Sequence, residues 1–106
     1  MTKADIVNEI SRQTGIEKVT VLKTVEAFMG AVRDSMANNQ NVYLRGFGSF
    51  IVRTRAKKTA RNISKNTTLV IPAHAIPAFK PAKSFATLVK QIPPEQVKAV
   101  SDEEAE

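Results

Sequence analysis

The sequence predicts an α+β fold in which two N-terminal helices precede an antiparallel sheet with a long protruding β-hairpin arm, and a short C-terminal helix follows. Apolar residues recur at helical spacing near the N-terminus, and short apolar, β-branched segments come after them. The run from Arg45 to Lys83 then holds nine Lys or Arg residues and no Asp or Glu. Because so basic a run cannot be buried, its outer part is expected to project into solvent.

Two helices are predicted at the N-terminus. Thr2 and Asp5 form a capping-box pattern before the first helix, and Gly15 suits the left-handed cap that ends it. The second helix is expected from about Lys18 to Ala37, where these apolar residues share one face: Val21, Leu22, Val25, Phe28, Met29, Val32 and Met36. That face is too broad to be covered by one small partner element.

Strands and a third helix are predicted in the rest of the domain. Residues 42–44 form one strand, and a second strand follows the bend at Gly46 and Gly48 and continues into the arm, at about residues 53–70. Residues 62–66 form the tip of the arm. Pro81 is expected in the first turn of the third helix, which Pro93 and Pro94 end.

The charge is distributed unevenly along the chain. Residues 1–90 carry fifteen Lys or Arg against five acids, whereas residues 91–106 carry one Lys against five acids. A basic body favours polyanions, of which nucleic acid is the commonest in the cytoplasm, where we expect this protein to reside. Residues 1–90 are therefore predicted to be the binding domain, and residues 91–106 a disordered acidic tail.

The core of one chain is predicted to be incomplete. Without the arm and the tail, roughly 70 residues remain to bury apolar surface, which is close to the lower limit for a lone domain. Dimerisation would complete such a core. Four phenylalanines are the candidates for its centre: Phe28, Phe47, Phe50 and Phe79.

Three motifs resemble the bacterial histone-like HU and integration host factor family: Gly46-Phe47-Gly48-Ser49-Phe50, Ala60-Arg61-Asn62 and Ile76-Pro77-Ala78-Phe79. The resemblance covers residues 1 to about 90. It implies an intertwined homodimer, or a heterodimer with a paralogue, whose β arms lie in the minor groove of double-stranded DNA and bend it in the nucleoid. The family's arm usually carries Gly-Arg-Asn-Pro with an intercalating proline, and the residue that matches this proline is Ile63, so the resemblance implies that a wedge, if there is one, is isoleucine.

The candidate DNA-binding residues are basic or lie near the tip of the arm. Strand alternation places Arg53, Arg55 and Lys57 on one face, where they could follow a phosphate backbone. Lysines in the first turns of helices one and three could grip flanking phosphates. The complete set is Lys3, Arg53, Arg55, Lys57, Lys58, Arg61, Asn62, Ile63, Lys65, Lys80 and Lys83. The alternative for these charges is an ordinary solvated surface, and Ile63 could merely pad the tip.

Other functional classes have weaker support. The chain has no Cys and a single histidine, His74, and it lacks a nucleophile–base pair or a phosphate-binding loop, so no metal, cofactor, small-molecule substrate or enzyme activity is expected. No apolar run is long enough to cross a membrane. A basic RNA-binding or ribosome-associated protein remains an alternative. A helix-turn-helix reader is disfavoured because helix two has few exposed positions for base contacts.

Overall fold

The structure, a computed structural model, describes residues 1–62 and 67–98, and it confirms the predicted α+β order of elements. Within these residues, three α-helices and five strands carry the fold. They are α1 (Lys3–Thr14), α2 (Lys18–Ala37), β1 (Val42–Leu44), β2 (Gly48–Arg55), β3 (Lys58–Asn62), β4 (Thr67–Ile71), β5 (His74–Pro81) and α3 (Lys83–Lys90). No helix within the described ranges has the length and apolar character needed to span a bilayer.

Helix α1 is held at both ends by the residues that the sequence singles out. The backbone N–H of Asp5 donates to Oγ1 of Thr2, and the Asp5 carboxylate accepts from the backbone N–H of Thr2 at 2.9 Å. These hydrogen bonds, the one to the backbone first, lower the pKa of Asp5 from its usual value. At the other end Gly15 adopts the left-handed conformation, with φ of 76°.

Strands β1, β2 and β5 form a three-stranded antiparallel sheet with β2 in the centre. A tight turn joins β1 to β2: the N–H of Phe47 donates to the carbonyl of Leu44 at 2.9 Å, and Gly46 has φ of 82°. Strand β5 ends at Pro81, paired with Gly48, and α3 begins at Lys83. The expectation that Pro81 lies inside the first helical turn is therefore wrong by two residues.

The arm is built from two ladders rather than one uninterrupted hairpin. Strands β3 and β4 pair as a separate two-stranded sheet beyond the end of β2 and β5. The register is the same in both ladders, since Arg55 faces His74 and, three residues further along each strand, Lys58 faces Ile71. The interruption contains Pro72, which has no N–H to donate to a ladder. Lys57 lies in this interruption and not in a strand.

Little of a single chain is buried. Among the side chains that the structure describes, Val7 and Val21 are the only hydrophobic residues that are buried. The radius of gyration is 18.5 Å, against about 13 Å for a compact domain of this length. The protein therefore presents apolar surface that needs a partner.

The C-terminal segment is described as far as residue 98. A short 3-10 helix at Pro94–Gln96 follows α3 inside the predicted tail. The acidic end of that tail, residues 99–106, lies outside the described residues.

Candidate nucleic-acid interface

The register of β2 against β5 separates the side chains of the sheet into two faces. One face, the helix face, carries the pairs Phe50–Phe79 and Val52–Pro77, and the other, the outer face, carries Ser49–Lys80, Ile51–Ala78, Arg53–Ile76 and Arg55–His74. Phe50, Val52 and Pro77 line a groove together with residues of α2, which shows that the helix face is the one turned toward α2. The outer face therefore lies on the side of the sheet opposite α2.

All charged side chains of β2 and β5 lie on the outer face. They are Arg53, Arg55 and Lys80, with His74 as a fourth titratable group on the same face. All four are exposed. Any sheet with one buried face has polar side chains on its other face, so alternation alone does not indicate a binding surface. Here, however, every charged side chain on that face is positive.

No acidic residue neutralises this surface in the part of the chain that the structure describes. The ion pairs found there join Lys3 to Glu26, Arg12 to Glu9 and Arg33 to Asp34, all within or between α1 and α2. Residues 53–59 are exposed, and so are residues 68–71 on the other strand of the arm. The described part of the arm is thus exposed, and no described acid pairs with it.

The N-termini of α1 and α3 differ in how well they could bind an anion. Lys3 and Lys83 are each the first residue of their helix. At α1 the capping box already engages the N–H groups of Thr2 and Asp5 and places the Asp5 carboxylate there, and Nζ of Lys3 lies 3.8 Å from Oε2 of Glu26. At α3 the N-cap is Ala82, which makes no side-chain cap. The N-terminus of α3, with Lys83 and nearby Lys80, is therefore the better site for a phosphate.

The helix face and α2 enclose an apolar groove of about 570 Å³. Phe28, Met29, Val32 and Met36 line it from α2, opposite Phe50 and Val52. Phe28 is 47% exposed despite its size. An exposed apolar groove of this kind in a small domain is typical of a surface that a second subunit covers.

Four aromatic rings form a cluster beside that groove. Phe79 is in its centre, with ring centroids 4.9 Å from Phe50, 5.4 Å from Phe47 and 6.1 Å from Phe85. Three of the predicted core phenylalanines therefore come together, and Phe28 lies across the groove from them. Phe85 was not among the predicted core residues, although its apolar position on α3 was visible in the sequence.

The structure describes only some of the other predicted site residues. Lys58 lies in β3, as do the backbones of Arg61 and Asn62, whereas Ile63 and Lys65 lie outside the described residues. Sequence reasoning missed Tyr43, which is 72% exposed and faces Ser49 on the outer face, next to Lys80. It also considered His74 only as a metal ligand. Among the described residues no three His, Asp or Glu side chains could hold a metal ion together.

A basic, acid-free sheet face with a protruding arm, on a subunit with an unfilled apolar groove, defines a polyanion-binding protein that assembles with another subunit. A sequence profile described as "Bacterial DNA-binding protein" matches residues 1–90. DNA-binding protein HU of Thermus thermophilus is 38% identical over 91 residues, which cover 86% of this chain and 94% of that protein. DNA-binding protein HU of Geobacillus stearothermophilus is 34% identical over 90 residues, covering 85% of this chain and 100% of that protein.

A solved structure described as an Anabaena HU–DNA cocrystal has the same fold, with a TM-score of 0.81 at 28% identity, covering 87% of this chain and 100% of that one. The chain belongs to the bacterial DNA-binding protein family and is of the HU type. The predicted resemblance is confirmed, and with it the prediction of a nucleoid-associated, DNA-binding architectural protein.

Proposed function

We propose that this protein is a homodimer that binds double-stranded DNA with low sequence specificity along the outer face and the arms, and bends it by inserting Ile63 at a base step. The observation that carries the proposal is the segregation of charge: Arg53, Arg55 and Lys80 share the face opposite α2, and no described acid pairs with them. Such a surface suits a phosphate backbone.

The arms would carry the contacts away from the body. Lys57 and Lys58 are exposed where the two ladders meet, so phosphate contacts continue past the sheet. Arg61, Asn62 and Lys65 follow in the sequence. In the minor groove such side chains distinguish A·T from G·C pairs but little else, which accounts for low sequence specificity.

Bending requires energy, which the remaining contacts must offset. In architectural minor-groove proteins, which include HU and integration host factor, insertion of an apolar side chain costs about a few kcal/mol per unstacked step. The bend brings the flanking duplex toward the body. There Lys80, Lys83 and the open N-terminus of α3 can bind a phosphate on each flank. Lys3 contributes less, because Glu26 is beside it.

The second subunit completes the core. The groove between α2 and the helix face would receive apolar side chains of an identical partner, and Phe28 would then be buried against Phe50 and its neighbours. Dimerisation also supplies two arms, one for each side of the duplex. The proposed site of action is the nucleoid, within the cytoplasm, and no catalytic step is part of the function.

A binding series on linear, nicked and four-way-junction DNA tests the proposal. Nicked and junction DNA should bind more tightly than linear duplex, because part of the deformation energy is already supplied. The double substitution of Arg53 and Arg55 by Gln should weaken all complexes and lower the slope of log K against log salt by about 0.9 for each phosphate that is no longer neutralised. Substitution of Lys23 and Lys90 by Gln removes the same charge elsewhere and is the matched control.

Two results would contradict the proposal. If the control pair reduced binding as much as the Arg53 and Arg55 pair, the outer face would not be the interface. If structured RNA outcompeted nicked DNA at the same salt concentration, RNA would be the preferred partner.

A further inference from the structure

His74 is the only histidine of the chain, and it lies on the outer face of the sheet. It is exposed and directly opposite Arg55 in the last pair of the β2–β5 ladder. Nδ1 of its ring is 3.2 Å from the carbonyl oxygen of Pro72. The imidazole is thus held at the base of the arm, among the side chains proposed to bind phosphates.

The contact with Pro72 fixes which ring nitrogen carries the hydrogen. A carbonyl oxygen can only accept, so Nδ1 must donate to it. In the neutral ring Nε2 is then an acceptor, which cannot bind a phosphate oxygen. In the protonated ring Nε2–H becomes a donor with a positive charge, while the bond to Pro72 is kept.

The surroundings of His74 contain positive groups and no described acid. Arg55 faces it on β2, Arg53 is diagonal to it on the same face, and Lys57 follows Arg55 in the chain. Its other neighbour on that face is Ile76, on its own strand. The protonated imidazole has no described carboxylate as a partner, so a phosphate oxygen would be its counterion.

The geometry points to His74 as a proton-dependent phosphate contact, which makes the affinity of the protein for DNA rise as the pH falls. This inference rests on the proposed function, because it assumes that the outer face lies against DNA. Binding would then be coupled to proton uptake, up to one proton for each subunit. The contacts proposed for Arg53, Arg55 and Lys80 do not involve proton uptake, so the histidine adds an adjustable contact to a permanent set.

Fluorescence anisotropy with a labelled nicked duplex at about pH 6 and about pH 8 tests this, since imidazole changes charge between these values. The parent should bind on the order of tenfold more tightly at the lower pH, with two histidines in the dimer. The slope of log K against log salt should also be steeper there, by up to about 0.9 for each histidine that binds a phosphate. A purely structural role for His74 would not change that slope.

Three variants complete the experiment. His74→Gln should bind equally at both pH values, at the weaker level, and His74→Lys should bind equally at both, at the tighter level. Thr54→His in the His74→Gln background returns an exposed imidazole to the opposite face and should not restore the pH dependence.

The outcomes separate the two proposals. If the parent binds nicked DNA with the same affinity and salt slope at both pH values, the inference about His74 is wrong and the DNA-binding function stands. If His74→Gln keeps the full pH dependence, another group is responsible and the inference is equally wrong. If no DNA is bound at either pH, the proposed function itself fails.

Discussion

The backbone of Gly48 lies directly against the ring of Phe79, so that a β-carbon at residue 48 would come within 2.6 Å of Cζ of that ring. It would also lie 2.7 Å from the carbonyl oxygen of Lys80. Gly48 is buried and begins β2 beside the aromatic cluster. Only a residue without a side chain lets Phe79 reach both Phe47 and Phe50.

Gly48→Ala should therefore destabilise the protein by about 1–3 kcal/mol, the usual range for overpacking a filled site. Thermal unfolding measures it as a lower Tm. Gly30→Ala is the matched control, because Gly30 is inside α2 and a β-carbon there would meet only the end of the Arg33 side chain at 3.6 Å. Alanine should stabilise that helix by up to about 1 kcal/mol. Equal effects of the two substitutions would refute the packing argument.

A second prediction concerns the groove and the dimer. Phe28→Ala should cost about 3–5 kcal/mol if the partner subunit buries this ring, as is typical of Phe→Ala in a core. The Tm should depend on protein concentration, and sedimentation should show more monomer in the variant. Tyr43→Ala, which removes an exposed ring on the outer face, should leave the dimer intact. A monomeric parent at all concentrations would exclude the proposed role of the groove.

Helix α2 lacks a side-chain cap at its N-terminus. Glu17 is the N-cap of α2 and makes no side-chain hydrogen bond there. Glu17→Asp keeps the negative charge near the helix N-terminus and shortens the side chain to one that can accept from the first turn, for a gain of about 1 kcal/mol. Urea unfolding measures it. Glu17→Gln, which supplies neither advantage, should not stabilise the protein.

The pH dependence of stability should include a contribution from Asp5. Its pKa is lowered from 3.8 by the hydrogen bonds of the capping box. A lowered folded-state pKa means that the contribution is fully present above the ordinary value and is lost as the pH falls through the lowered one. The difference in unfolding free energy between the parent and Asp5→Asn should therefore be constant at neutral pH and shrink below 3.8. A difference that persists in acid would show that Asp5 acts by other means.

The helices were predictable because their signals are local. The apolar residues that define α2 recur every three or four residues, and the two residues of the α1 capping motif are three apart. The basic arm followed from composition alone. The break between its two ladders was not predicted. Pro72 indicates it, because a residue without an N–H cannot donate to a ladder.

The outer face could be predicted only in part. Period-two alternation groups Arg53 with Arg55 on one strand, but it does not say which residues of β5 face them. That depends on the register, which pairs Arg55 with His74 and brings Tyr43 next to Ser49 and Lys80. Similarly, Phe85 comes from a different element and joins the cluster only because α3 follows directly after β5.

Bending of DNA is proposed to depend on Ile63. If this side chain inserts at a base step, Ile63→Ala should reduce the bend of a duplex labelled at both ends for energy transfer, and should weaken the preference for nicked over linear DNA. The salt slope should stay the same, because the substitution changes no group that binds a phosphate. Ile63→Pro should keep the bend, since proline is the wedge that the family usually carries. If Ile63→Ala bends DNA as strongly as the parent, contacts to phosphates alone account for the deformation and the wedge is not needed.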